Sequence, residues 1–167
     1  MSQMFFNEIE AARIAQNMEK NGLAFYQRAA AKTADARVRD IFKNLIEDEK
    51  NHLATFEQLE ATLEARRTAG HEFEDDAELG AYIDRLLQTQ VFCEKCAAPG
   101  MLHKAHDDCS ALAVSLQAER DAIVFYQEML DFVDSKEAKE AFEWILKEER
   151  QHLVAIGERG TACGFKI

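Results

Sequence analysis

Laid over itself at an offset of 100 residues, the sequence places MEKNGLAFYQ on AERDAIVFYQ and FKNLIEDEKNHL on FEWILKEERQHL. Glu19, Phe25, Tyr26, Gln27, Phe42, Glu49, His52 and Leu53 then coincide with Glu119, Phe125, Tyr126, Gln127, Phe142, Glu149, His152 and Leu153. An internal repeat of this kind sets the structural unit before any single segment is interpreted. Each copy holds two helix-period segments, residues 8 to about 32 and 36 to about 66 in the first, about 110 to 133 and 136 to about 158 in the second. The joins, KTADAR and DFVDSKE, are short enough that each pair must fold as an antiparallel hairpin. In the second join Asp134 or Ser135 is the expected N-cap, with Glu137 or Glu140 in the first turn. Residues 67–109 form a long crossover that holds the acidic HEFEDDAE, an expected short helix LGAYIDRLLQTQVF and the cysteine-bearing CEKCAAPGMLHKAHDDC. Two hairpins sharing one long crossover predict an all-α, up-down-down-up four-helix bundle, built as one domain over residues 1–167.

Composition agrees with this and narrows the function. One proline and seven glycines favour long helices over a turn-rich β fold. A formal net charge of -11 would repel a nucleic-acid backbone or an anionic membrane surface, so neither is an expected partner. No stretch approaches the roughly 18 apolar residues of a membrane span, and MSQMFFNEIEAARIAQ lacks the basic start and apolar run of a signal peptide. A cytoplasmic location is the expectation, and with it four cysteines that are reduced thiols or metal ligands rather than a disulfide framework.

The helical stripes carry the chemistry. On the second helix the core-facing positions are Val38, Phe42, Leu45, Glu49, His52, Phe56, Leu59 and Leu63; on the fourth they are Ala138, Phe142, Ile145, Glu149, His152 and Ile156. The first helix gives Ala12, Gln16, Glu19, Leu23, Tyr26 and Ala30, and the third gives Leu112, Leu116, Glu119, Ile123, Tyr126, Leu130 and Val133. Every helix therefore points one carboxylate at the bundle axis, and no basic residue in the stripes answers it. Glu-x-x-His pairs recurring on the surface through duplication would be the bland alternative, but these six lie on core seams. Burying an ionised carboxylate alone costs several kcal/mol, and four together repel one another besides. Two divalent cations would neutralise the four charges, with the two imidazoles as neutral donors. Carboxylate-rich ligation with one imidazole per metal suits iron or manganese, while zinc or copper compete by raw affinity.

One Glu from each of two helices and a Glu-x-x-His from each of the other two is the ferritin-like constellation. On these motifs, over about residues 8–66 and 110–158, the chain resembles the rubrerythrin-type members of the ferritin-like superfamily. The resemblance implies a site for two iron ions, with manganese or zinc as substitutes. Its ligands would be Glu19, Glu49, His52, Glu119, Glu149 and His152, with Glu49 and Glu149 bridging. It also implies that Tyr26 and Tyr126, each seven residues after a ligand glutamate, hydrogen-bond to ligand carboxylates. The implied activity is oxidation of iron coupled to reduction of hydrogen peroxide or dioxygen. An iron-storage protein, or a non-enzymatic metal-stabilised bundle that binds a partner, are the alternative expectations. The chain departs from the family pattern where rubrerythrin has a further glutamate on the third helix: Ala122 stands there, with Gly22 in the other repeat. It also ends in GTACGFKI, without the paired Cys-x-x-Cys motifs of a rubredoxin module, so an external electron donor such as a rubredoxin is expected.

Two further expectations concern the crossover. Cys93, Cys96, His103, His106 and Cys109 have the donors for a second metal site or a redox pair, in a spacing that fits no standard finger; Cys163 is a lone thiol. Met4, Phe5, Phe6, Tyr82, Ile83, Leu86, Leu87 and Phe92 need apolar cover, and with the rubrerythrin resemblance they predict a homodimer, in which hairpin exchange between subunits is open.

Overall fold

The computed structural model describes residues 6–88 and 105–165. They form helices α1 (Glu8–Lys32), α2 (Ala36–Thr68), α3 (Ala77–Gln88), α4 (Asp108–Phe132) and α5 (Lys136–Gly160), followed by a 3-10 turn, Thr161–Cys163. Each long helix starts at a side-chain cap, and the caps repeat with the sequence. Asn7 accepts from the backbone N–H groups of Ile9 and Glu10, and its mate Asp107 forms a capping box with Ser110. Asp35 accepts from Arg37 and Val38, and its mate Ser135 accepts from Ala138.

The helices pack as a square in which α1 contacts α2 and α4, and α5 contacts α2 and α4. The pairs across the two inter-repeat seams give their direction. Tyr26 meets Glu119 while Tyr126 meets Glu19, and Asp48 meets His152 while His52 meets Glu149, so α1 runs antiparallel to α4 and α2 to α5. The up-down-down-up order follows from these four contacts. The ends of the bundle are fastened reciprocally. Glu8, at the start of α1, accepts from the backbone N–H groups of Asp134 and Ser135 at 2.6 and 2.9 Å. Its mate Asp108, at the start of α4, accepts from those of Ala34 and Asp35 at 3.3 and 2.9 Å. Each repeat thus caps the hairpin turn of the other.

On α2 and α5 all fourteen stripe positions named from the sequence are buried. On α1 and α4 the buried face is displaced: Leu23, Ala30, Leu116, Ile123 and Leu130 are half-buried, whereas Gly22, Phe25, Ala29, Phe125 and Met129 are covered. A helix of 3.6 residues per turn drifts from a strict seven-residue stripe, and α1 and α4 turn this drifting face towards their hairpin partners. Within the crossover, α3 covers the described part of LGAYIDRLLQTQVF, whose residues 89–92 lie outside the described region. It is anchored where the Asp76 N–H donates to the Phe6 carbonyl at 2.9 Å, and Phe6 and Ile83 are fully buried. Leu86 and Leu87 pack partly against the same core, so several residues expected to need a partner's cover find it within the chain. Tyr82 remains exposed. No helix among the described residues is long and apolar enough to cross a membrane.

The cysteine expectation requires correction. Cys109 and Cys163 form a disulfide, so Cys109 is not a free metal ligand and Cys163 is not a lone thiol. The 3-10 turn after α5 folds back on the start of α4 and brings two Cα atoms that are 54 residues apart in sequence to 5.5 Å. Closing a loop of that length restricts the unfolded chain by about 4 kcal/mol on polymer grounds. Cys93, Cys96 and His103 lie outside the described residues.

Removing one of the reciprocal caps tests their contribution. Glu8 is buried and serves two backbone donors and the Ser135 hydroxyl, so Glu8→Ala should lower unfolding free energy by about 2 kcal/mol in urea melts, leaving the m-value unchanged.

Candidate metal centre

Midway along the square, α1 and α4 each contribute a glutamate, Glu19 and Glu119, while α2 contributes Glu49 and His52 and α5 contributes Glu149 and His152. All six are buried. They assemble as two donor groups, Glu19, Glu49, His52 and Glu149 on one side and Glu49, Glu119, Glu149 and His152 on the other, with donor atoms in each group within 4.8 Å of one another. Glu49 and Glu149 belong to both groups, the placement a bridging carboxylate requires. The two oxygens of Glu149 divide between the imidazoles: Oε1 lies 3.2 Å from His52 Nδ1, and Oε2 lies 3.2 Å from His152 Nδ1. Glu19 Oε2 and Glu119 Oε2 complete the two sides at 3.5 and 3.6 Å from the same nitrogens. All six side chains come from one chain, so a complete site needs no exchange of hairpins.

The surrounding shell is largely shared by the repeats. The Tyr26 hydroxyl donates to Glu119 and the Tyr126 hydroxyl to Glu19. Each tyrosine therefore supports the carboxylate of the opposite repeat, because the antiparallel seam brings position 26 beside position 119. Gly22 faces Glu49, where a Cβ would come to 3.3 Å of Oε2; the missing side chain gives the carboxylate its room. Beside it a cavity of about 20 Å³ opens between α1 and α4, lined by Gly22, Ala122, the two tyrosines and the glutamates. Two neighbours were not singled out by the sequence reading. Asp48 Oδ2 lies 3.2 Å from His152 Nε2, and the Trp144 indole stands edge-on to His52 with ring centres 5.6 Å apart. Asp48 could have been suspected from its position four residues before His52 on the same helix; Trp144 gave no signal, because its repeat mate is Asn44.

With protons as the only counter-charge, burial pushes the Glu49 and Glu119 carboxyls well above the usual range, and the neighbouring carboxylates push them further. Burial alone would lower both imidazoles, but the flanking carboxylates outweigh it and raise His52 to about 10 and His152 to about 11. Glu149, though buried, is held well below the usual range by the Glu119 carboxyl and by the His152 and His52 imidazoles that face its two oxygens. The tyrosines are raised by burial and by the carboxylates they face, so they remain neutral donors. Metal entering the cluster must therefore displace protons from Glu49, Glu119, His52 and His152.

The donor set fits a pair of metal ions. The buried His52 Nδ1 has no hydrogen-bond partner although it faces two carboxylates, which is the orientation of a ligand nitrogen waiting on a cation rather than of a satisfied core histidine. The protein-family model described as Rubrerythrin matches residues 3–60, which contain α1, most of α2 and the ligands Glu19, Glu49 and His52. Over those residues the chain is similar to rubrerythrins. No curated protein and no solved structure matches it significantly. The second half of the chain repeats the matched Glu and His residues at Glu119, Glu149 and His152 and places them on the other side of the same cluster.

Two outcomes follow for this centre. Glu149→Ala removes a carboxylate common to both donor groups and should reduce bound metal from two equivalents to well below one, whereas Glu19→Ala should leave part of the second equivalent; elemental analysis of the purified variants checks this. Metal-free protein should lose stability as pH rises from 5.5 to 8.5. The raised groups, Glu49, Glu119, His52 and His152, contribute fully below their unfolded pKa values and lose that contribution as pH climbs towards the folded ones. Glu149 runs the other way, but its contribution is lost only below the ordinary carboxylate range. Denaturant melts in chelator should show a fall on the order of 2 kcal/mol across this window.

Proposed function

We propose that this protein is a di-iron oxidoreductase of the rubrerythrin type, reducing hydrogen peroxide or dioxygen and oxidising ferrous iron in the same step. The reading is carried by the two donor groups that share Glu49 and Glu149 and open onto a small cavity. Zinc would fit the donors but has no second oxidation state, and the oxygen-rich set favours iron or manganese. When bound, two ferrous ions supply the two electrons that cleave the oxygen–oxygen bond of peroxide, and two protons complete the water formed.

The chain's own residues account for position and access. Glu49 and Glu149 hold the two metal positions at a fixed separation, while His52 and His152 present Nδ1 to them from α2 and α5. Tyr26 and Tyr126 orient Glu119 and Glu19, and their raised pKa values suit them to hold a carboxylate rather than to deliver a proton at neutral pH. The cavity beside Gly22 and Ala122 has room for about one water-sized molecule, which matches a diatomic oxidant's scale. A one-electron protein donor such as a rubredoxin would restore the reduced state. A cytoplasmic homodimer with a role in oxidative stress is part of the same proposal.

Anaerobic loading with ferrous iron followed by peroxide tests it. The expected result is two irons per chain, near-ultraviolet absorbance that rises with oxidant, and one peroxide consumed for each pair of irons; full loading with no oxidant-dependent change would overturn the reading. Filling the cavity by Ala122→Leu should slow oxidation by about tenfold, a barrier increase of about 1.4 kcal/mol, with metal content unchanged.

A further inference from the structure

The two repeats place the same ligands but back their imidazoles differently. His152 turns Nε2 to the Asp48 carboxylate at 3.2 Å. His52 instead meets the edge-on ring of Trp144, with ring centres 5.6 Å apart and planes at 90°. Repetition predicts an asparagine-sized residue there, since the mate of Trp144 is Asn44, an exposed side chain. Trp144 is the chain's only tryptophan, and 42% of it is exposed. A single exposed apolar side chain is ordinary. This one is distinguished because its other edge touches a buried ligand imidazole, making a continuous π contact from the surface of α5 to the centre. Its exposed neighbours on α5, Glu143 and Lys147, offer no such path.

Its placement in the square adds a second observation. The cavity that would admit oxidant lies between α1 and α4, whereas Trp144 and His52 lie on the α2–α5 side. These are opposite faces of the bundle. The indole and the cavity therefore approach the buried cluster from opposite sides.

We propose that Trp144 is the electron port of the centre: a one-electron protein donor of the iron–sulfur class docks over the exposed indole, and electrons pass through the indole and His52. The inference rests on the di-iron reading above. Two successive transfers oxidise two donor molecules by one electron each and return two ferric ions to ferrous. The indole bridges the transfer and keeps its own oxidation state, and no bond is made or broken at Trp144.

Re-reduction of peroxide-oxidised protein by reduced rubredoxin, followed by stopped-flow absorbance, tests the proposal in wild type, Trp144→Leu and Trp144→Phe. Iron content and the rate of oxidation by peroxide are measured alongside, which separates a lost port from a distorted site. Trp144→Leu should slow re-reduction by about tenfold or more and Trp144→Phe by a smaller factor, and a wild-type rate in either fully loaded variant overturns the proposal. A readout independent of turnover uses the single tryptophan: Co(II) binding to metal-free wild type should quench its fluorescence, and redox-inert zinc-substituted rubredoxin should shift its emission. Unchanged fluorescence in both titrations also overturns the proposal. Wild-type protein that binds iron but is never oxidised by peroxide would sink the di-iron reading and this inference with it, whereas normal oxidation with unimpaired re-reduction of Trp144→Leu sinks this inference alone.

Discussion

Four carboxyl groups meet at the centre of this bundle, and among the described residues the side chains that pair with them are two imidazoles and two phenols, with no lysine or arginine. Mutual repulsion in a buried site cannot be left uncompensated, so positive charge must come from protons or metal ions. The protonated form is visible in the directions of the pKa shifts: two carboxyls rise, both imidazoles rise, and Glu149 between them stays ionised. That form holds the cluster together without being its best partner, since His52 Nδ1 still lacks a hydrogen bond. The same constraint explains Gly22, whose missing Cβ leaves Glu49 its space, and the tyrosines, whose hydroxyls fix carboxylate oxygens that would otherwise swing apart.

The fold supplies this centre by symmetry. Because α1 runs against α4 and α2 against α5, each residue of one repeat lies near the mate of its own partner in the other. The rule that sets Tyr26 on Glu119 and Tyr126 on Glu19 also sets Glu8 on the turn at Asp134 and Asp108 on the turn at Ala34. One hairpin sequence, duplicated, thus yields two halves of a metal centre and two interlocking end caps. The halves diverge where duplication does not constrain them: at Trp144 against Asn44, in α3, and at the disulfide of Cys109 with Cys163.

What could be read from the sequence follows the same division. The stripes of α2 and α5 were legible because both flanks of those helices meet partners at the spacing of the ligands themselves. On α1 and α4 a strict seven-residue stripe misplaced Leu23 and Ile123, since the buried face there follows the true helical period across two neighbours. The cluster of Glu19, Glu49, His52, Glu119, Glu149 and His152 was legible because a buried Glu or His in an apolar stripe has few explanations. The partners of Tyr26 and Tyr126 were not, because spacing along one helix cannot show which carboxylate an antiparallel neighbour will bring. The disulfide was invisible for a related reason: Cys109 and Cys163 meet only because a single turn after α5 folds back onto the start of α4. Asp48 and Trp144 act at one remove from the metal positions, where neither periodicity nor ligand chemistry marks a residue.

The departure from the rubrerythrin pattern at Ala122 has a structural counterpart. A glutamate on the third helix at that position would project towards the centre from the α1–α4 side, the side on which the cavity lies. With alanine there and glycine at position 22, neither position adds a carboxylate to the buried cluster, and a Cβ at Gly22 would already press on Glu49; Asp121, which also lines the cavity, accepts from the Gln117 amide. The buried cluster therefore keeps four carboxylates, the number that two divalent ions would balance. Under the proposed reading, a change of charge at the centre would be shared by these four carboxylates and the protons among them, and the two at the cavity that a phenol holds in place are Glu119, by Tyr26, and Glu19, by Tyr126.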